Sequence, residues 1–278
     1  KPDNYLENWI ERQSLVESMI PIIGKFHRDK NVRILLYGNP LISLSVIEIM
    51  QAHRVVREVE ENELSEYETS MILASLDKLD LGPAQIDIGI LAAAFMFDDH
   101  GQNIDEFVSD QVKKGIGNHT PVLKKPQDVV LFGFGRIGRL ITRLILEDTG
   151  AGETFSLKAV VVRQSKSEDL FKRAELMRRD SVHGPFKGTI RVDEESNTLV
   201  MNGNPVKFIY ANNPDEVDYS KHNIDKAILI DNTGVYRDKK GLSKHLKSKG
   251  VSKVLLTAPT KGELKNIVYG VNHKDITD

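Results

Sequence analysis

Asp128-Val129-Val130-Leu131-Phe132 runs directly into Gly133-Phe134-Gly135-Arg136-Ile137-Gly138. The first five residues read as a short buried strand, and the next six are G-x-G-x-x-G. Such a hexapeptide alone is also compatible with a plain glycine-rich turn. Here it leaves a strand, opens a helical pattern from Arg136 to Glu147 and precedes a second, valine-rich strand from Leu157 to Arg163. In that setting each glycine has a task. The first permits the tight turn, the second lets backbone approach a pyrophosphate, and the third lets helix and strand pack closely. The helix start adds free N–H groups and partial positive charge. Gly133, Phe134, Gly135, Arg136, Ile137 and Gly138 are therefore candidate binding residues for a dinucleotide.

Downstream the alternation continues. A helix is expected over Glu168 to Arg179, and β-like runs lie between Gly188 and Ala211, separated by turn signals at Asp193-Glu194-Glu195-Ser196-Asn197 and Asn202-Gly203-Asn204. Then come a strand at Ala227 to Asp231, a helix at Lys239 to Lys249, a strand at Lys253 to Thr257 and a last strand at Asn266 to Val271. This order predicts an α/β fold, a Rossmann-type doubly wound and mostly parallel sheet with a small antiparallel excursion.

Upstream the texture differs. Apolar residues from Tyr5 to about Val112 recur mostly at helical spacing, beginning with Leu6, Trp9, Ile10, Leu15, Val16, Met19 and Ile20. Ser45 with Glu48, and Ser65 with Glu68, have the spacing of capping boxes. Gly82-Pro83 is expected to end the third helix and open a fourth through Ile86, Ile90, Leu91 and Ala94. Arg33 to Tyr37 is a candidate strand. Lys113 to Gln127 mixes glycine, proline and charge without apolar periodicity, as linkers do. A mainly α-helical domain is thus expected over 1–122 and the dinucleotide domain over 123–278.

A length of 278 residues suits two domains. Net charge is −2, which argues against a dedicated nucleic-acid binder or an acidic-membrane binder. No apolar run approaches the roughly 20 residues that span a bilayer, so the expected location is cytoplasmic. The eight histidines show no ligand spacing, and no metal is expected. The basic run of Lys239, Lys240, Lys244, His245, Lys247 and Lys249 could attract RNA, but such a helix is more often a solvated face. There is no cysteine, and hence neither a disulfide nor a thiol nucleophile in these residues.

The end of the second strand normally carries a carboxylate for the adenosine ribose. Here it reads Val162-Arg163-Gln164-Ser165-Lys166. Arg163, Gln164, Ser165 and Lys166 offer donors that suit a 2′-phosphate, which predicts NAD or NADP with NADP favoured. The alternative is that Arg163 and Lys166 are solvated loop residues and either cofactor is accepted.

Several ordered segments resemble the glyceraldehyde-3-phosphate dehydrogenase family over about residues 128 to 278. After Gly-Phe-Gly-Arg-Ile-Gly-Arg come Asp180-Ser181-Val182-His183-Gly184, Asn202-Gly203, Asn232-Thr233-Gly234-Val235-Tyr236, Thr257-Ala258-Pro259-Thr260-Lys261-Gly262 and Tyr269-Gly270-Val271-Asn272-His273. The resemblance implies that Thr233, Gly234, Thr257 and Ala258 line the cofactor groove, in segments that also hold Asn232 and Tyr236, with Arg136 and Ile137 at the pyrophosphate. Asn232 stands where the family more often has serine, and Asn212 where it usually has arginine near the adenine. His183 is expected to have a structural hydrogen-bonding role.

The implied activity is a phosphorylating aldehyde-phosphate dehydrogenase. In the family a thiolate attacks the aldehyde, hydride passes to the nicotinamide and phosphate releases the acyl group. That cysteine follows the Val-Asn-His segment, so the sequence is expected to be the front portion of a longer enzyme, inactive alone and with no catalytic residue here. The helical first part is similar to an N-terminal extension of a longer bacterial subclass, and assembly is expected to be homo-oligomeric. Alternatives are an erythrose-4-phosphate dehydrogenase of the same family and a non-catalytic nucleotide-sensing module.

Overall fold

The computed structural model describes residues 4–60, 63–97, 101–121, 123–148, 154–163 and 169–276. It divides into two compact units, Lys1–Lys124 and Lys125–Asp278. The expected boundary fell after Val122.

The first unit contains α1 (Tyr5–Lys30), β1 (Val32–Leu36), β2 (Asn39–Pro40), α2 (Val46–Val59), α3 (Glu66–Asp77), β3 (Ala84–Asp87), α4 (Ile88–Phe97) and α5 (Ile104–Gln111). Both expected capping boxes form, on Ser45 and Ser65, and Asn103 with Glu106 makes a third. The first helix continues through Pro21, because Ile23 and Phe26 prolong its buried face. The expected helix after Pro83 is corrected. Ala84 to Asp87 is instead a strand parallel to β1, and the helix starts at Ile88. The Asp87 carboxylate decides this, since it accepts the N–H groups of Tyr37 and Gly38 as well as those of Gly89 and Ile90 that open α4. A small sheet, ordered β2-β1-β3, therefore sits within the helices.

A buried ion pair ties α1 to α3. Glu66 is fully buried, and Arg12 grips it with two hydrogen bonds, of 2.8 and 2.7 Å. Burial pushes the Glu66 carboxyl up, but the Arg12 guanidinium, a backbone N–H and His53 together outweigh it and hold the pKa below the ordinary glutamate value. Beside it His53 is buried with both ring nitrogens engaged, Nδ1 with the Ile49 carbonyl and Nε2 with Thr69 Oγ1, and desolvation lowers its pKa.

The second unit contains β4 (Gln127–Phe132), α6 (Arg136–Asp148), β5 (Phe155–Val162), α7 (Asp169–Arg178), β6 (Ile190–Asp193), β7 (Thr198–Met201), β8 (Asn204–Tyr210), β9 (Ala227–Asp231), α8 (Lys239–Leu242) and β10 (Val251–Leu256). They form a seven-stranded sheet in the order β10-β9-β4-β5-β8-β7-β6, in which the five strands from β10 to β8 are parallel. β6, β7 and β8 make the antiparallel excursion. Alternate residues of the central strands feed two cores. Val129, Leu131, Val160 and Val162 belong to one, and Val130, Phe132, Ala159 and Val161 to the other. Chain order reverses direction at β4, which creates a crevice above the carboxyl ends of β4 and its neighbours.

Two elements differ from expectation here. The helix expected over Lys239 to Lys249 stops at Leu242 and resumes only as a 3-10 turn at His245–Lys247. The break lets His245 turn inward, fully buried, with Nε2 at 3.0 Å from Asp231. The expected strand from Asn266 to Val271 is a loop. Asn272 accepts the Val268 N–H and donates to the Asn266 carbonyl, so the backbone is satisfied locally.

Candidate functional site

The parallel ladders bring five strand ends to one level. Phe132 pairs in register with Val161 and with Asp231, Asp231 with Leu256, and Val162 with Tyr210. Every loop that leaves these positions starts from the same edge.

The glycine turn sits at this edge, and its three glycines are not equivalent. Gly133 has φ +100, and a Cβ there would meet Thr233 Cγ2 at 2.9 Å. At Gly138 a Cβ would meet the Gly133 carbonyl oxygen at 2.5 Å, so only hydrogen lets α6 lie so close to the turn. Around Gly135 there is nothing within 4 Å. Arg139 N–H donates to the Gly135 carbonyl, so helical bonding begins there and the amides of Arg136, Ile137 and Gly138 have no carbonyl one turn back. Phe134 anchors the turn from beneath, edge-on to Phe208 at 5.1 Å, and Arg139 Nη1 donates to its carbonyl. Burial lowers the Arg139 pKa, with Arg136 and Arg143 adding to the effect and Asp180 opposing it.

A cavity of about 410 Å³ opens beside the turn. Of the residues singled out in the sequence, Gly133, Phe134, Gly135, Arg163, Thr233 and Tyr236 line it. Arg136, Ile137, Gly138, Asn232, Gly234, Thr257 and Ala258 do not. Asn232 and Thr257 join through a 3.2 Å hydrogen bond, and a Cβ on Gly234 would lie 3.9 Å from that of Ala258, so these four gather where β9 and β10 end. Gln164, Ser165 and Lys166 lie outside the described residues. His183 has a structural geometry: Asp180 accepts the backbone N–H groups of His183 and Val182, which hold its carboxyl far below the usual range, and meets the His183 ring at 3.1 Å.

Sequence reasoning missed three contributors. Arg173 enters the cavity from α7, donating from Nη2 to the Arg163 carbonyl at 3.0 Å while Asp169 holds its Nε. Ala211 lines the wall after β8. Asp231, fully buried at the end of β9, accepts from Thr233 N at 2.7 Å and Thr233 Oγ1 at 2.6 Å through one oxygen, and from His245 through the other. His245 Nδ1 is buried without a partner among the described residues, so Nε2 carries the hydrogen that reaches Asp231. Phe132 and Tyr236 pack edge-on against the imidazole. Position at a strand end was the one available signal for Asp231. Nothing in the spacing pointed to His245 or Arg173.

The turn at the carboxyl edge of a parallel sheet's reversal point, with open space over its middle glycine, is the arrangement of a dinucleotide site. Residues 127–239 match the glyceraldehyde 3-phosphate dehydrogenase NAD binding domain family. The second unit is a NAD-binding domain of that family. Curated relatives agree. A glyceraldehyde-3-phosphate dehydrogenase-like protein of Pseudomonas aeruginosa is 49% identical over 260 residues, 93% of this chain and 56% of the relative, so the match takes in most of the first unit too. Glyceraldehyde-3-phosphate dehydrogenases of Zymomonas mobilis and Mycoplasma pneumoniae are 37% and 35% identical over 54% and 53% of the chain, and 41% and 40% of their own lengths. The chain thus spans about half the length of the curated relatives it matches. Among the described residues no helix is long and apolar enough to cross a membrane, and no cluster of three or more potential ligands could hold a metal.

Proposed function

We propose that this chain holds a nicotinamide dinucleotide along the carboxyl edge of its seven-stranded sheet, as the cofactor-binding part of a phosphorylating glyceraldehyde-3-phosphate dehydrogenase. The observation that carries the reading is the cradle at Gly135, a helix start with unpaired amides whose middle glycine faces space that a Cβ would intrude upon. Bound there, the cofactor supplies hydride acceptance. The chain's own residues bind and orient it. Amides at Gly135 to Gly138 would take the pyrophosphate, Arg163 and Arg173 the adenosine end, and Thr233, fixed by Asp231, the opposite wall with Tyr236. Asn232, Gly234, Thr257 and Ala258 extend that wall along the sheet edge. These 278 residues contain no cysteine, so they are proposed to bind and position cofactor without turning over an aldehyde alone.

Two arginines at the adenosine end, one of them already paired with Asp169, and no carboxylate among the described residues that line the cavity favour a cofactor with a 2′-phosphate. Fluorescence titration of the chain with NADH and NADPH tests both statements. Saturable binding displaced by ADP-ribose is expected, with NADPH the tighter and Arg163→Ala weakening NADPH about tenfold more than NADH. Absence of saturable binding by either nucleotide overturns the site, and tighter NADH binding overturns the preference alone.

A further inference from the structure

A second cavity, of about 370 Å³, shares only Val235 and Tyr236 with the cofactor cleft. Its wall carries Arg237, Lys240, Lys244 and Lys261 against a single carboxylate, Asp238. Asp238 is already engaged, accepting the Gly241 N–H at 2.7 Å. Arg237 gives its Nε to the Pro259 carbonyl, a neutral acceptor, and Lys244 lies 5.8 Å above the Tyr236 ring. Among the described residues no carboxylate forms an ion pair with any of the four cations. Arg237 and Lys244 are, moreover, half-buried.

Lys240 on α8 and Lys244 after its end both line this one space, so their like charges face it together. The Lys261 N–H to Arg237 carbonyl bond at 2.7 Å ties the two backbone segments together at one wall of the cavity. The other lysines of the basic run, Lys239, Lys247 and Lys249, do not line the cavity. Four cations converging on a concave polar space, with one committed carboxylate, match a multiply charged oxyanion: the lysines as point charges and the guanidinium as a planar donor. We propose that this cavity is a second, cofactor-independent binding site for a phosphate-bearing small anion, with Arg237, Lys240, Lys244 and Lys261 as its ligands.

The test is calorimetric titration of the chain with inorganic phosphate and with glycerol 3-phosphate, at constant ionic strength held by chloride. Wild type is expected to bind with saturation, and the Lys240→Ala/Lys244→Ala double variant at least tenfold more weakly. Lys240→Arg/Lys244→Arg, which keeps the charge, should restore affinity to within about threefold. Thermal melting of each variant confirms that the fold is retained. Tighter binding of glycerol 3-phosphate assigns an organic phosphate, and equal binding assigns the phosphate group alone; both support the site. Equal affinity of wild type and the alanine variant overturns the proposal. So does the absence of saturable heat in wild type, or one-for-one displacement of the anion by NADH, which would place it in the cofactor cleft.

Discussion

Replacing Gly135 and Gly138 separately by alanine divides cofactor binding from folding. At Gly138 the new methyl would sit 2.5 Å from the Gly133 carbonyl oxygen, so the start of α6 must retreat from the turn or the turn must deform. Forcing a methyl into closely packed structure costs about 1–3 kcal/mol. Gly135 has nothing within 4 Å, so Gly135→Ala is expected to change stability by no more than about 0.5 kcal/mol, or to raise it slightly by restricting the unfolded chain. The same methyl would occupy the space above the helix start. Loss of one charge-assisted hydrogen bond to a phosphate oxygen is worth about 1.5–3 kcal/mol, or about ten- to a hundredfold in Kd. The assay is NADH or NADPH fluorescence titration paired with urea unfolding. Gly135→Ala should bind weakly and melt normally, whereas Gly138→Ala should unfold at lower urea. Nucleotide binding by Gly135→Ala within twofold of wild type would refute the seat proposed for the pyrophosphate. Unchanged unfolding of Gly138→Ala would refute the close-packing argument.

Arg12→Ala leaves the buried Glu66 carboxylate with only the longer 3.8 Å pair to Arg57 and should cost about 3 kcal/mol, read by urea unfolding through the fluorescence of Trp9, the chain's only tryptophan. Because the folded pKa of Glu66 lies below its unfolded value, its contribution is complete above the ordinary glutamate pKa near about 4.3 and is lost as pH falls from there through the folded value. His53, with its folded pKa lowered, adds a penalty that begins as pH falls through about 6.5. Trp9-detected stability should therefore decline on acidification in two stages, and His53→Gln should remove the earlier one; a single step in wild type contradicts this. Thr233→Val removes the Oγ1 bond to the buried Asp231 carboxylate and should cost about 2 kcal/mol. It should also weaken nucleotide binding several-fold, and a variant whose melting and titration both match wild type would show that Asp231 does not set the Thr233 loop.

Local chemistry was legible from the sequence wherever neighbours in the chain decide it. Ser45 with Glu48, and Ser65 with Glu68, cap helices because the partners lie three residues apart, and the strand–glycine turn–helix unit at Asp128 to Glu147 shows in its own apolar pattern and glycine spacing. Elements that depend on distant partners were misread. Ala84 to Asp87 looks helical until β1 supplies a ladder, and Asn266 to Val271 looks like a strand although it turns on its own asparagine side chains.

By itself, then, the sequence determined the alternating α/β order, the glycine turn and the absence of a thiol. Those follow from periodicity, φ preference and composition. Only the tertiary structure decided which side chains share a space: Arg173 beside Arg163, Asp231 linking Thr233 to His245, and four cations from the segments after β9 and β10 around one cavity. The physical reason is sequence distance. Contacts such as Asp231 with His245 and Arg237 with Pro259 are made by strands and turns that pack together only in the folded sheet, and no local periodicity encodes them.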